Sequence, residues 1–226
     1  MGIIESSLRR KTKLSLVIAI KDKDRIVLGA DKQVSVSDFK DHSSTKIWPV
    51  EELPGALMGS VGTCRASQII QYAHVIDKNL INGEVSTDFV ICSLAPTIAA
   101  GLKANGIVVE AGENGTCDMM PNSFIFAYQD KAWMIWNDLS VTEIGDYLAV
   151  GSGADVARGA LFATKKEKNP FERIVISIDA AAESTLFVDD GIDLLATKSH
   201  KDDAELVATA FGYNIKKKSA VNGKKK

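Results

Sequence analysis

The sequence predicts an α+β domain built from packed antiparallel sheets flanked by helices. Two observations carry this. Stretches of like kind come in runs (strands, two helices, strands, two helices, a strand), and such runs favour packed antiparallel sheets over one alternating parallel sheet. In addition, 46% of the 226 residues are hydrophobic, which suits one sizeable domain with its own core. No short repeat and no linker divides the chain.

The elements follow in order. Residues 14–20 and 25–30 alternate like strands on either side of a turn at Asp22-Lys23-Asp24, and read as a hairpin. The stretch "KIWPV" is a shorter strand, and its Pro49 places it at a sheet edge. "GALMGSVG" follows, a strand of small residues that another backbone or a substrate can approach closely. Ala66, Ile69, Ile70, Ala73 and Ile76 then form one apolar stripe at helical spacing, predicting a helix over 64–80. The next helix has Ser86 as N-cap and stops at Gly106, with a kink or break at Pro96. A second strand set begins with a hairpin turning at Gln129-Asp130-Lys131, followed by the strand "DYLAVGSG" and the helix "ADVARGALFATKK". Pro170 opens another helix, "GIDLLATK" is a further strand, and "DDAELVATAF" is a short last helix.

Bulk composition excludes several classes of function. With 27 basic against 29 acidic residues there is no global field for nucleic acid or a membrane surface. The basic clusters at the ends, "RRKTK" and "KKKSAVNGKKK", read as solvated tails. Cys64, Cys92 and Cys117 are odd in number and lack CxxC spacing. That argues against a disulfide framework or zinc site and suits a reducing compartment. His42, His74 and His200 lack metal-ligand spacing. No apolar run reaches the roughly 18 residues that a membrane helix needs, and the N-terminus lacks the pattern of a signal peptide. The reading is a cytoplasmic protein without a cofactor and without a nucleic-acid or membrane partner.

Four places could carry chemistry. Asp31 closes an apolar strand; taken alone, such a residue is most often a turn former. Lys46 follows 15 residues later in "SSTKIW", a position that alone suits a solvated edge lysine. "GSVG" alone is a tight strand-to-helix turn. "VGSGADVARGAL" leads from a strand through Gly-x-Gly into a helix, as a dinucleotide site does. That fingerprint wants a small residue where Val156 stands, and the surrounding element order is wrong for it.

Taken in order, "IVLGADKQVS", "TKIW", "MGSVGTCRA" and "YLAVGSGADVARGAL" make a pattern. In it the sequence resembles the proteasome β-subunit family of N-terminal-nucleophile hydrolases over roughly residues 14–197. Within that family it is similar to the bacterial proteasome-related ATP-dependent peptidase subunit. The resemblance implies a four-layer αββα sandwich, with two antiparallel sheets between helix layers. It also implies a division into an N-terminal extension or propeptide (1–13), one domain (14–212) and a basic C-terminal tail (213–226). In the family, the hydroxyl of the first residue attacks a peptide carbonyl and its own α-amine takes the proton. Such an amine titrates near 7.7–8.0, which suits a general base at neutral pH. A neighbouring ammonium keeps it neutral, and a carboxylate holds the ammonium. Carried over, Ser15 is the nucleophile, Lys46 the ammonium and Asp31 the carboxylate. The backbone N–H of Gly59 would face the oxyanion, and Ser152 would orient the amine.

The chain departs from the family at three points. Serine replaces the usual threonine, which preserves the chemistry. Leu14 stands where self-processing subunits have glycine, and a free Ser15 amine requires removal of 14 residues. Thr12 is another start but is out of register. Near the last strand, Ser184 and Thr185 lie near the position of a family Asp, and Val188 stands where many subunits have Ser. Two readings follow: a ring-forming peptidase that exposes Ser15, or an unprocessed, non-catalytic subunit of the same fold. An amidase or acyltransferase on this fold is a third. The resemblance further implies self-association into stacked rings, a polypeptide substrate and an ATP-dependent unfoldase as partner. The chain itself has no Walker motif with which to hydrolyse ATP. Trp133 and Trp136 could mark a contact surface. Spaced three apart in a strand they face opposite sides, so at least one belongs to the core.

Overall fold

The computed structural model describes residues 15–36, 39–41, 45–73, 75–76, 84–107, 109–111 and 118–212. The predicted extension and tail, Leu14, Thr12, His42, His74 and Cys117 lie outside the described residues.

The chain begins with the expected hairpin, β1 (Leu16–Asp22) and β2 (Arg25–Asp31), with Lys23 at φ 56 in its turn. A small ribbon follows, β3 (Val34–Val36) and β4 (Phe39–Asp41), which three-residue strands left unannounced in the sequence. β5 (Ile47–Pro49) is an edge strand, as Pro49 requires, and pairs with β6 (Ala56–Val61). Helix α1 (Cys64–Tyr72) is shorter than the apolar stripe predicts.

A helical run then spans Thr87–Ala104 as α2 (Thr87–Phe89), a π-helical turn (Val90–Leu94) and α3 (Ala95–Ala104). Ser86 caps it, accepting the Phe89 N–H at 3.2 Å. Pro96 does not break it. Proline lacks the N–H that an α-helix would donate to Cys92, and the wider π turn sits where that bond is missing. This run corrects the expectation on apolar length. At 18 residues and mean hydropathy 1.2 it is long and apolar enough to cross a membrane by length and composition. A third of it is buried, with Val90, Leu94, Ala95, Ile98 and Leu102 in the core.

A two-stranded ribbon, β7 (Glu110–Ala111) and β8 (Asp118–Met119), precedes the hairpin β9 (Ser123–Tyr128) and β10 (Lys131–Ile135). β11 (Val141–Glu143), β12 (Tyr147–Gly151), α4 (Ala154–Ala163), α5 (Pro170–Ser184), β13 (Ile192–Ala196) and α6 (Asp203–Ala210) complete the fold. Asn169 caps α5 ahead of Pro170, accepting the Phe171 N–H at 3.1 Å.

These elements form two main antiparallel sheets, ordered β12-β1-β2-β13 and β11-β10-β9-β6-β5. Between them Val17, Ala19, Leu28, Leu57, Ile125 and Met134 form one buried layer. The outer face of the first sheet presents Leu16, Ile18 and Val27 to Ala157, Ile174 and Ile178 of α4 and α5. The outer face of the second presents Met58, Phe124, Phe126 and Trp133 to α1 and α3. This is the four-layer αββα sandwich. Each sheet is covered on both faces, so Leu16 to Ile20 and Arg25 to Asp31 are buried without interruption. The half-buried alternation expected for this hairpin gives way to a continuous apolar run for that reason. Trp133 and Trp136 divide as expected: Trp133 is fully buried, stacked on Phe126 at 5.9 Å, and Trp136 packs against the layer between the sheets.

Candidate functional site

The site forms where β1 begins, β2 ends and β5 begins. Antiparallel pairing of β1 with β2 sets Val17 opposite Ala30, so Ser15, two residues before Val17, and Asp31, next after Ala30, come to one end of the first sheet. Ser15 is 4% exposed, Asp31 0% and Lys46 5%. Lys46 Nζ donates to Asp31 Oδ1 at 2.7 Å. The same carboxylate accepts the Leu16 N–H at 2.7 Å and the Gln33 N–H at 3.2 Å. One side chain therefore fixes the residue after Ser15 and the ammonium together.

Burial pushes the Lys46 ammonium below the ordinary lysine range, opposed by Asp31 and, more weakly, by Asp189 and Cys64. Burial likewise pushes the Asp31 carboxyl up, opposed by Lys46 and by the Leu16 and Gln33 amides. Both shifts have the same cause, removal of charge from water, and the pair with its backbone donors offsets that cost.

Ser152 lies on the other side of Ser15. The Ser15 N–H donates to Ser152 Oγ at 3.3 Å, the Ser152 N–H donates to the Ser15 carbonyl at 2.8 Å, and Ser152 Oγ donates to that carbonyl at 3.3 Å. Gly151 makes this approach possible. It has φ +120, and a Cβ there would sit 1.9 Å from the Ser15 carbonyl oxygen. The Gly-x-Gly of "VGSG" thus serves backbone contact with Ser15 in an antiparallel sheet, and the dinucleotide reading falls.

Gly59 occupies a different place from the one its expected role requires. The Ser60 N–H donates to the Lys46 carbonyl and the Val50 N–H to the Ala56 carbonyl, so even-numbered residues of β6 point their backbone groups at β5. The amide of Gly59 alternates with these and points at β9, where Gly59 lies opposite Ile125. What Gly59 contributes is a missing side chain: a Cβ would meet Val17 Cγ1 at 2.9 Å and Ile47 Cγ2 at 3.3 Å. The other glycine of "GSVG" is Gly62, which follows the last residue of β6, Val61, at φ +134. The sequence pattern contained that residue but gave no means to choose between the two glycines.

At the departing positions, the Ser184 hydroxyl donates to the Ala180 carbonyl at 2.7 Å and ends α5. Thr185 Oγ1 is buried without a hydrogen-bond partner among the described residues. Val188 packs beside Gly153, where a Cβ would lie 2.8 Å from its Cγ2. Away from the site, His200, Asp202 and Asp203 bring ligand atoms within 4.8 Å of one another. Asp203, however, already accepts from Arg25 Nη1 at 2.7 and 2.8 Å and from the His200 N–H at 2.8 Å. A cation there would have to displace a guanidinium.

No protein-family model matches the chain. Solved structures do resemble it. BPH of Thiobacillus denitrificans, in complex with epoxomicin, superposes with TM-score 0.63 at 17% identity, covering 80% of this chain and 97% of that one. Eukaryotic HslV from Trypanosoma brucei gives TM-score 0.57 at 17% identity, covering 80% and 98%. The Anbu complex of Pseudomonas aeruginosa, described as a helical assembly, gives 0.59 at 15% identity, covering 87% and 91%. The chain has the proteasome β-subunit-like fold. In this fold, the two sheets and their helix layers bring Ser15, Asp31, Lys46 and Ser152 together at one end of β1.

Proposed function

We propose that the protein is a proteasome-like peptidase subunit in which Ser15, freed by removal of the residues before it, is an N-terminal nucleophile. The observation that carries the reading is the buried Asp31 carboxylate, which binds Lys46 Nζ and the Leu16 N–H at 2.7 Å each. A fold gains little stability from such a pair, because desolvation offsets most of the attraction. Beside a free Ser15 amine the pair has a use, since a fixed ammonium holds the amine neutral and basic.

In the reaction, Ser15 Oγ forms a bond to the peptide carbonyl carbon while its proton passes to the Ser15 amine. Negative charge collects on the carbonyl oxygen, where the Gly62 amide, in place of that of Gly59, is the assigned donor. Collapse breaks the C–N bond, and the amine passes its proton to the leaving nitrogen. Water, deprotonated by the same amine, then hydrolyses the Ser15 ester and releases the carboxylate. Ser152 holds the backbone of Ser15 in place throughout. A polypeptide substrate, self-association into stacked rings, an ATP-dependent unfoldase as partner and a cytoplasmic location belong to the same proposal.

The test uses intact mass, a set of short fluorogenic peptides, and epoxomicin as probe. Cleavage before Ser15, peptide hydrolysis, and a mass gain of one epoxomicin that is lost in Ser15→Ala would support the reading. A chain made to begin at Ser15 that hydrolyses none of the peptides and takes up no epoxomicin would sink it. The unprocessed, non-catalytic subunit would then stand.

A further inference from the structure

Asn122 is fully buried one residue before β9, and its carboxamide is saturated. Its Oδ1 accepts the Thr63 N–H at 2.8 Å and Thr63 Oγ1 at 3.0 Å. Its Nδ2 donates to Ser60 Oγ at 2.8 Å, to the Thr63 carbonyl at 3.0 Å and to Ser67 Oγ at 3.2 Å. Ser67 closes the network, its one hydroxyl proton lying within reach of Ser60 Oγ at 3.0 Å and the Thr63 carbonyl at 3.2 Å. One side chain thus gathers the end of β6, the turn after it and the first turn of α1.

The network bears on the site at two points. Ser60, which receives one of these bonds, donates its own N–H to the Lys46 carbonyl at 2.9 Å and so ties the network to the residue holding the ammonium. Gly62 lies directly under the carboxamide. It has φ +134, and a Cβ there would sit 2.6 Å from Asn122 Cγ and from the Pro121 carbonyl oxygen. The peptide before Gly62, which carries its N–H, leaves the end of β6, and the peptide after it is held by Asn122 through the Thr63 N–H, so the backbone is fixed on both sides of Gly62. Stability alone does not require this: an apolar contact fills the space under a turn with less demand on geometry, whereas a saturated amide fixes direction.

We infer that Asn122 is a positioning residue for catalysis, holding the Gly62–Thr63 turn so that its backbone donor faces the oxyanion formed at Ser15. The inference rests on the peptidase reading. It acts through the backbone of Gly62; Asn122 itself touches neither the substrate nor the reacting atoms. Its effect therefore falls on the transition state, where the oxyanion exists, more than on substrate binding.

The test compares the mature protein with its Asn122→Ala variant by steady-state hydrolysis of one fluorogenic peptide across pH, with hydrogen exchange at the Thr63 amide alongside. Expected are a roughly 10-fold or greater fall in kcat with KM within about twofold, faster exchange at Thr63, and unmoved limbs in the pH profile. A folded variant with unchanged kcat overturns the inference. A loss of kcat accompanied by shifted pH limbs overturns it too, because the effect would then run through Lys46. If Asn122→Ala does not fold, Ser67→Ala is judged by the same criteria, with lowered kcat at unchanged KM as support and unchanged kcat as refutation. A mature wild type without activity sinks the peptidase reading, and the inference with it. An active wild type with an unaffected variant sinks the inference alone.

Discussion

Asp31 and Lys46 each carry a charge that water barely reaches, and each is tolerable only because of the other. Removing one partner leaves an uncompensated buried charge. Asp31→Ala is expected to lose about 3–5 kcal/mol of stability by urea denaturation. Replacing both together, as Asp31→Leu with Lys46→Met, is expected to lose less than either single change, which a double-mutant cycle reads directly. The pair also shapes the pH dependence of the proposed peptidase. kcat/KM should rise with pH as the Ser15 amine loses its proton, from an ordinary value of about 7.7–8.0 that the neighbouring ammonium lowers. It should fall again as Lys46 deprotonates, and because burial lowers the Lys46 pKa, that limb lies below the ordinary lysine value of 10.5. Lys46→Arg keeps its charge at every accessible pH. Any activity that variant retains is expected to lack the falling limb.

At the scale of elements, the last helix is held to the first hairpin through one buried cation. Arg25, 1% exposed at the start of β2, donates to Asp22 Oδ2 at 2.9 Å and to both oxygens of Asp203 in α6. Its guanidinium lies 5.5 Å from the centre of the Phe171 ring in α5. Hairpin and α6 thus share one ion-pair cluster on Arg25, with the Phe171 ring of α5 beside it and the Lys198 carbonyl accepting from it at 3.1 Å. Asp203→Ala is expected to leave the guanidinium half-paired and to cost about 3 kcal/mol. Amide exchange in α6 should rise ahead of exchange in β1 and β2, since local opening follows the weakest contacts. Equal acceleration in all three would contradict this.

At the scale of the molecule, the separation of the two sheets depends on side-chain size at their contact. Gly59 lies under Val17, and a Cβ there would already be 2.9 Å from its Cγ1. Gly59→Val overpacks the layer between the sheets and is expected to cost about 1–3 kcal/mol in thermal or urea unfolding. Val17→Ala in the same chain should recover part of that loss. The proposed peptidase activity should fall with it, because Val17 belongs to the strand that begins at Ser15. An unchanged midpoint for Gly59→Val would mean that the sheets separate freely.

Much of this was legible in the sequence because it depends on local patterns. The turn residues Asp22-Lys23-Asp24 and Gln129-Asp130-Lys131 mark both hairpins, Pro49 marks an edge, and Ser86 and Pro170 mark helix starts. Each works through backbone geometry or capping within a few residues. The resemblance carried by the order of Asp31, Lys46, "GSVG" and "VGSG" implied Ser15, Asp31, Lys46 and Ser152, which the fold brings together at one end of β1. What the sequence could not decide depends on contacts between distant residues. The helix runs on through Pro96 by way of a π turn into α3, whose Ala95, Ile98 and Leu102 are buried in the core. Leu16 to Ile20 and Arg25 to Asp31 are buried without interruption because α4 and α5 cover the outer face of the sheet. The direction of the Gly59 amide follows from the register of β6 with β5, and the reach of Asn122 to Thr63 spans 59 residues. The sequence by itself determined which residue types stand ready for the chemistry. Only the tertiary structure decided which backbone groups face them, because a strand's amides take their direction from the partners it pairs with.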